Sequence, residues 1–242
     1  MASIPACAKA SPIASNKAIE VMCGKLGVLA LAALLAGCDY VRPFEQVCAK
    51  RLGPAGVRVD APRTQQRHDF SQSASALTAR GTHNAPAGRR VEGLTEIHLT
   101  HRISIGGSGM VKPFSGRYCT RPDVHVTLAF DPMMVFVASE QKPGTCAFDL
   151  TMNHELKHVR SYERFIDELA GEIEASLKGL VGDGIHYFPS AAEGERVLNS
   201  RIQDQVNASV RDGLAAVQKR QAAIDTPEEY DRLELMTSKC TP

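Results

Sequence analysis

Apolar residues recur along this chain with two periods, and the change falls near residue 146. Between 94 and 139 the period is two. In LTEIHLTHRISI (94–105), Ile97, Leu99, Ile103 and Ile105 alternate with polar residues; in DVHVTLAF (123–130), Val124, Val126, Leu128 and Phe130 do so. Both patterns predict half-buried strands. MMVFVAS (133–139) reads as a continuous apolar strand, and the intervening Asp131-Pro132 predicts a tight turn pairing it with 123–130 as a hairpin. Beyond 146 the spacing becomes three, four and seven. Met152, Leu156, Val159, Ile166, Leu169, Ile173, Leu177 and Leu180 mark one face of a long helix, expected to stop at Gly182 or Gly184. A second helix opens at Ser190, where Ser-Ala-Ala-Glu has capping-box spacing, and a third at Thr226-Pro227. The expected fold is α+β: a small antiparallel sheet followed by three helices, the first of them long.

The chain before residue 94 is less regular. A short helix is expected around RPFEQVCAKRLG (42–53), whereas 60–90 is polar, poorly periodic and rich in Ser, Ala, Arg and Gly. That composition predicts a partly mobile linker. KLGVLALAALLAGCD (25–39) is a basic residue followed by an apolar run too short to span a bilayer, which suits an export signal. Its end, Leu35-Ala36-Gly37-Cys38, resembles the lipobox of bacterial lipoproteins. The resemblance implies cleavage before Cys38 and acylation of that cysteine, which would hold the protein on a membrane without spanning it. The expected organisation is a signal over 1–37 (with Met22 as a possible start), a lipid-anchored segment over 38–93, and a domain over 94–242. Asp39 favours the inner membrane under the sorting rule of enteric bacteria, with the domain facing the periplasm.

Export changes how the cysteines read. Removal of the signal leaves Cys48, Cys119, Cys146 and Cys240, an even number for an oxidising compartment, with Cys119–Cys146 and Cys48–Cys240 the expected pairs. None has CxxC spacing, which argues against a cysteine zinc site. Charge excludes one class of partner: a net charge of +1 and the lack of tryptophan provide neither a basic surface nor a stacking platform for nucleic acid.

The candidate chemistry lies in TMNHELKH (151–158), which contains His-Glu-x-x-His on the long helix. His154 and His158 fall about 40° apart around the axis and one turn apart along it, so both imidazoles can reach one zinc ion. Glu155 lies beside that face, where it can serve as general base toward a water on the ion. The third ligand is open, with His186, Glu193, Glu195 and Glu234 as candidates. Lys157 and Arg160 stand where zincin peptidases generally carry uncharged and apolar residues, and Ser161 and Arg164 exclude the metzincin continuation.

HExxH opening a long helix after short strands, with EYDRLE (229–234) beyond it, resembles the bacterial family of predicted secreted zinc-dependent proteases across 94–237. The resemblance implies a zincin-type metallopeptidase with His154 and His158 as ligands and Glu155 as base. In zincins generally a strand near this helix pairs with extended substrate, and 123–130 or 133–139 are the expected strands. The expected function is zinc-dependent hydrolysis of peptide bonds in the bacterial envelope. The alternatives are a non-catalytic envelope lipoprotein that binds a partner, and a zinc amidase acting on cell-wall peptides.

Overall fold

In a computed structural model the described residues are 42–81, 88–182 and 184–240. Cys38, Asp39 and the rest of the expected signal and anchor lie outside them. The chain divides into two compact units, Met1–Lys50 and Arg51–Pro242. Helix α1 (Phe44–Arg51) runs to the boundary and buries Phe44 and Cys48. The second unit is one mixed sheet covered by helices. Among the described residues no helix is long and apolar enough to cross a membrane.

Strand β4 (Tyr118–Val137) is the axis of the sheet. Antiparallel β3 (Gly93–Val111) pairs along its whole length. The other edge of β4 is shared by three short strands: β5 (His186–Phe188), antiparallel, and β1 (Gly56–Asp60) and β2 (Gln66–Asp69), both parallel. The sheet is therefore mixed rather than antiparallel. β2 and the short helix α2 (Ala74–Arg80) arise from the stretch expected to be a mobile linker, with β1 just before it, so the expected boundary at 93 falls inside this unit. These strands are held by ladder hydrogen bonds to β4, which hydrophobic periodicity does not reveal.

Asp131-Pro132 does not turn the chain. The register passes from Leu99↔Phe130 to Ile97↔Met133, so two residues of β4 oppose one of β3 in a β-bulge. Proline is tolerated there because the bulge removes a ladder position. The extra residue also shifts the alternation, so that Val124, Val126, Leu128 and Phe130 lie on the same face as Met133 and Val135. The opposite face at this end, with Phe136 and Ala138, packs under Ala74, Leu77 and Val91. Apolar cover on both faces explains the unbroken run at 133–138.

The main core lies between the sheet and two antiparallel helices, α3 (Cys146–Val181) and α4 (Ala191–Ala222). Thr145 and Ser190 cap them by accepting from the backbone N–H groups of Phe148 and Glu193. Ile173, Leu177, Ile202 and Val206 are fully buried between them. α4 runs back along α3 and returns the chain to the first turns of that helix. The third helix, α5 (Pro227–Thr237), starts there, capped by Thr226, and buries none of its own residues.

Candidate metal centre

His154, Glu155 and His158 project from the third and fourth turns of α3 and are all buried, with relative exposures of 5%, 3% and 7%. Their ligand atoms lie within 4.8 Å of one another, which makes them a group able to hold a metal ion. The α4–α5 connection places a fourth residue against them. Asp225 Oδ1 is 3.0 Å from His154 Nε2 and 3.1 Å from His158 Nε2, and the two Nε2 atoms are 3.3 Å apart.

The other imidazole nitrogens are also occupied. His158 Nδ1–H donates to Gln221 Oε1 at 2.6 Å, and His154 Nδ1–H to Glu229 Oε1 at 3.3 Å. Each ring thereby turns its Nε2 toward the same point. Four donors around a tetrahedral ion at about 2.0–2.1 Å stand about 3.3 Å apart, close to the spacing of these three atoms. Hydrogen-bonded Nδ1 groups that fix the tautomer are the usual support of metal-binding histidines. The donor set of two imidazoles and one carboxylate thus fits a divalent ion. Glu155 belongs to the cluster, but Asp225 is the carboxylate that touches both imidazoles.

Lys157 and Glu229 account for the charged residue between the histidines. Lys157 Nζ donates to Glu229 Oε1 at 2.5 Å, and Arg232 grips the same carboxylate through two nitrogens at 2.7 Å. Arg232's hydrogen bonds, followed by those of Lys157 and His154, hold Glu229 far below the usual carboxylate range. Glu229 therefore stays charged and keeps His154 in place.

Burial sets the other charges. It pushes the Glu155 carboxyl up, against the pull of His158 and His154. For Asp225 burial works in the same direction, but the hydrogen bonds from His154 and His158 prevail and the carboxyl is held down. For His158 burial opposes the charge, yet the bond to Asp225 and the nearby Glu155 raise its pKa. Tyr162 is pushed up to about 12 by burial, and Tyr230 is raised for the same reason, so both phenols keep their protons.

Glu155 is also held from the sheet. Thr95 Oγ1–H donates to Glu155 Oε2 at 2.8 Å. A Cβ on Gly93 would stand 2.5 Å from Glu155 Oε1 and 2.7 Å from Thr151 Cγ2, so only glycine lets the start of β3 approach so closely. A cavity of about 540 Å³ opens beside His154 and Glu155, between residues 88–93 and the face of α5 that carries Tyr230, Leu233 and Glu234. Arg89 links its two walls by pairing with Asp231 and Glu234.

The expected third ligands lie elsewhere. His186 Nε2–H donates to Val181 O at 2.7 Å. Glu193 is bonded to Arg196 in the first turn of α4, and Glu195 is exposed on that helix. Glu234 reaches the cavity wall but pairs with Arg89. The helix lengths do carry a signal for Asp225: a 32-residue α4 running back along a 36-residue α3 ends level with the HExxH turns. Residues 123–127 and 133–136 cannot receive a substrate strand, because β4 is paired on both edges there; among the described residues β3 has a long edge without a paired strand.

Cys146, at the start of α3, is bonded to Cys240, just beyond α5, rather than to Cys119. The expected pairing is corrected by the same geometry that delivers Asp225, since α4 brings the C-terminal segment back to the start of α3. Cys48 and Cys119 each also lie in a disulfide. No protein-family model, no curated protein and no solved structure matches the chain.

Proposed function

We propose that this protein is a metal-dependent hydrolase, a zinc peptidase of the zincin type acting in the bacterial envelope. The observation that carries this reading is the convergence of His154 Nε2, His158 Nε2 and Asp225 Oδ1 at 3.0–3.3 Å spacings beside the buried carboxyl of Glu155. His154, His158 and Asp225 would hold a divalent ion, which when bound would provide Lewis-acid chemistry toward water and a carbonyl. Glu155 accepts the proton of the attacking water and passes it to the leaving amine. Thr95 orients its carboxylate, and burial raises its proton affinity toward the range a general base needs at neutral pH. The phenols of Tyr162 and Tyr230 border the small cavity that Glu155 and Asp225 share, and remain donors for negative charge that develops there. The apolar segment 25–39 and the lipobox-like Leu35–Cys38 support an envelope location with Cys38 as anchor.

The test is metal content together with hydrolysis of casein and of muropeptides, side by side, for the full chain and for Glu155→Gln. The reading expects about one zinc per chain in both proteins and casein hydrolysis only in the first. Muropeptide cleavage alone would make the enzyme a cell-wall amidase. A bound ion without hydrolysis of either substrate would make the centre a structural strut, and no bound ion would overturn the reading.

A further inference from the structure

The hairpin joining β3 to β4 ends in Lys112-Pro113-Phe114-Ser115-Gly116-Arg117. Gly93 opens β3 against Glu155, so a 19-residue strand separates this tip from the candidate centre, roughly 50–60 Å. The tip is ordered by its own backbone. Lys112 N–H donates to Arg117 O at 2.7 Å, Gly116 N–H to Lys112 O at 3.1 Å and Ser115 N–H to Pro113 O at 2.8 Å.

Phe114 stands at this tip 96% exposed, with φ of 65°. That backbone region favours glycine or asparagine, and a bulky side chain occupies it at a conformational cost. A phenyl ring in water contributes no burial to folding either. Neither the turn nor the core asks for phenylalanine here. Val111 on the same hairpin is 52% exposed, and Tyr187 of β5, paired beside Cys119, is 40% exposed.

Along the hairpin itself the charge has one sign. From Ile97 to Pro122 the chain has no Asp or Glu, whereas Arg102, Lys112, Arg117 and Arg121 lie in that stretch. Glu193 and Glu195 open the neighbouring helix α4, and Glu193 is bonded to Arg196 at 2.8 Å. One protruding ring with two exposed neighbours is small against the about 800 Å² per partner of a stable protein interface. It suits a deformable anionic surface, in which an aromatic ring sits at headgroup depth and nearby Lys and Arg add attraction. We propose that the β3–β4 tip docks on an anionic lipid surface, with Phe114 inserted among the headgroups and Lys112 and Arg117 above them.

The chain has no tryptophan, so Phe114→Trp places a single indole at the tip. Fluorescence of the full-length variant is followed with vesicles of phosphatidylcholine and phosphatidylglycerol in equal parts, and of phosphatidylcholine alone. The indole reports its own surroundings, so attachment of the chain through 25–39 does not imitate insertion. The expected result is a shift to shorter wavelength and shielding from iodide with the anionic vesicles only. Lys112→Glu and Arg117→Glu together raise the lipid concentration needed for half the shift at least about tenfold. An indole that stays in water with anionic vesicles overturns the proposal, as does an equal shift with neutral ones. An indole already shielded without lipid overturns it in favour of a second copy of the chain.

Discussion

Replacing Asp225 by asparagine tests the centre at the residue that completes it. The substitution keeps the shape of the side chain but removes the charge that lies 3.0 and 3.1 Å from the two imidazoles. Loss of a group that merely orients a metal ligand costs about 10–100-fold in affinity, so loss of a liganding carboxylate is expected to cost at least about 100-fold. The consequence can be read without a substrate. At a metal concentration 100 times the wild-type Kd, the ion stabilises the fold by about 2.7 kcal/mol. With the affinity reduced 100-fold, the same concentration gives only about 0.4 kcal/mol. For a domain of this size about 1 kcal/mol moves the melting temperature by about 2–4 °C. Zinc should therefore raise the melting temperature of the wild type by about 5–10 °C and that of Asp225→Asn by about 1 °C. Asp231→Asn, on α5 and paired with Arg89, should respond like the wild type. Equal metal shifts in Asp225→Asn and the wild type would refute the reasoning and leave Glu155 as the carboxylate of the centre.

Three further outcomes are expected. In metal-free protein, His158 and Glu155 both have folded pKa values above their ordinary values of about 6.5 and 4.3. The folded state then binds more protons than the unfolded one between pH 5 and 8, so metal-free stability falls as pH rises through that window. Asp225, held below the ordinary carboxylate range by its hydrogen bonds from His154 and His158, stays charged through that window and does not oppose this. Because zinc competes with protons for these ligands, the metal-induced melting shift should grow from pH 5 to pH 8; a constant or shrinking shift would contradict the assignment. Gly93→Ala drives a methyl group into Glu155 and Thr151, and a destabilisation of about 1–3 kcal/mol is expected in urea unfolding. A fully stable variant would show that β3 does not need its close approach. Cys240→Ser opens the disulfide to Cys146, with a sequence separation of 94, and the chain-entropy estimate for such a loop is about 4–5 kcal/mol. An unchanged urea midpoint would mean that the C-terminal segment is held by other means.

The helices were legible because their signals are local. Thr145, Ser190 and Thr226 are adjacent to the turns they cap, and the apolar stripe of α3 is read from neighbours three and four apart. Helix α2 was hidden in a polar stretch, and the other differences concern residues that meet across long stretches of chain. Asp131-Pro132 carries turn chemistry, but a bulge uses the same residues, and only the partner strand distinguishes them. β1 and β2 are short and polar, and exist because β4 offers them an edge. The two histidines and the glutamate are fixed by helical spacing, whereas Asp225 is 67 residues from His158 and arrives by the course of α4. Cys240 reaches Cys146 by the same route, so neither the place of Asp225 nor the Cys146–Cys240 pairing can be read from local spacing.

That disulfide encloses more than a loop. His154, Glu155, His158, Gln221, Asp225 and Glu229 all lie between Cys146 and Cys240. A protease that cut the connection between α3 and β5 would produce two fragments still joined by a covalent bond, with the histidines on one and the aspartate on the other. Neither fragment could diffuse away, and the helix pair could close again around an ion. In a compartment populated by proteases, a single backbone cut would then leave the centre intact, and only a cut together with reduction would take it apart.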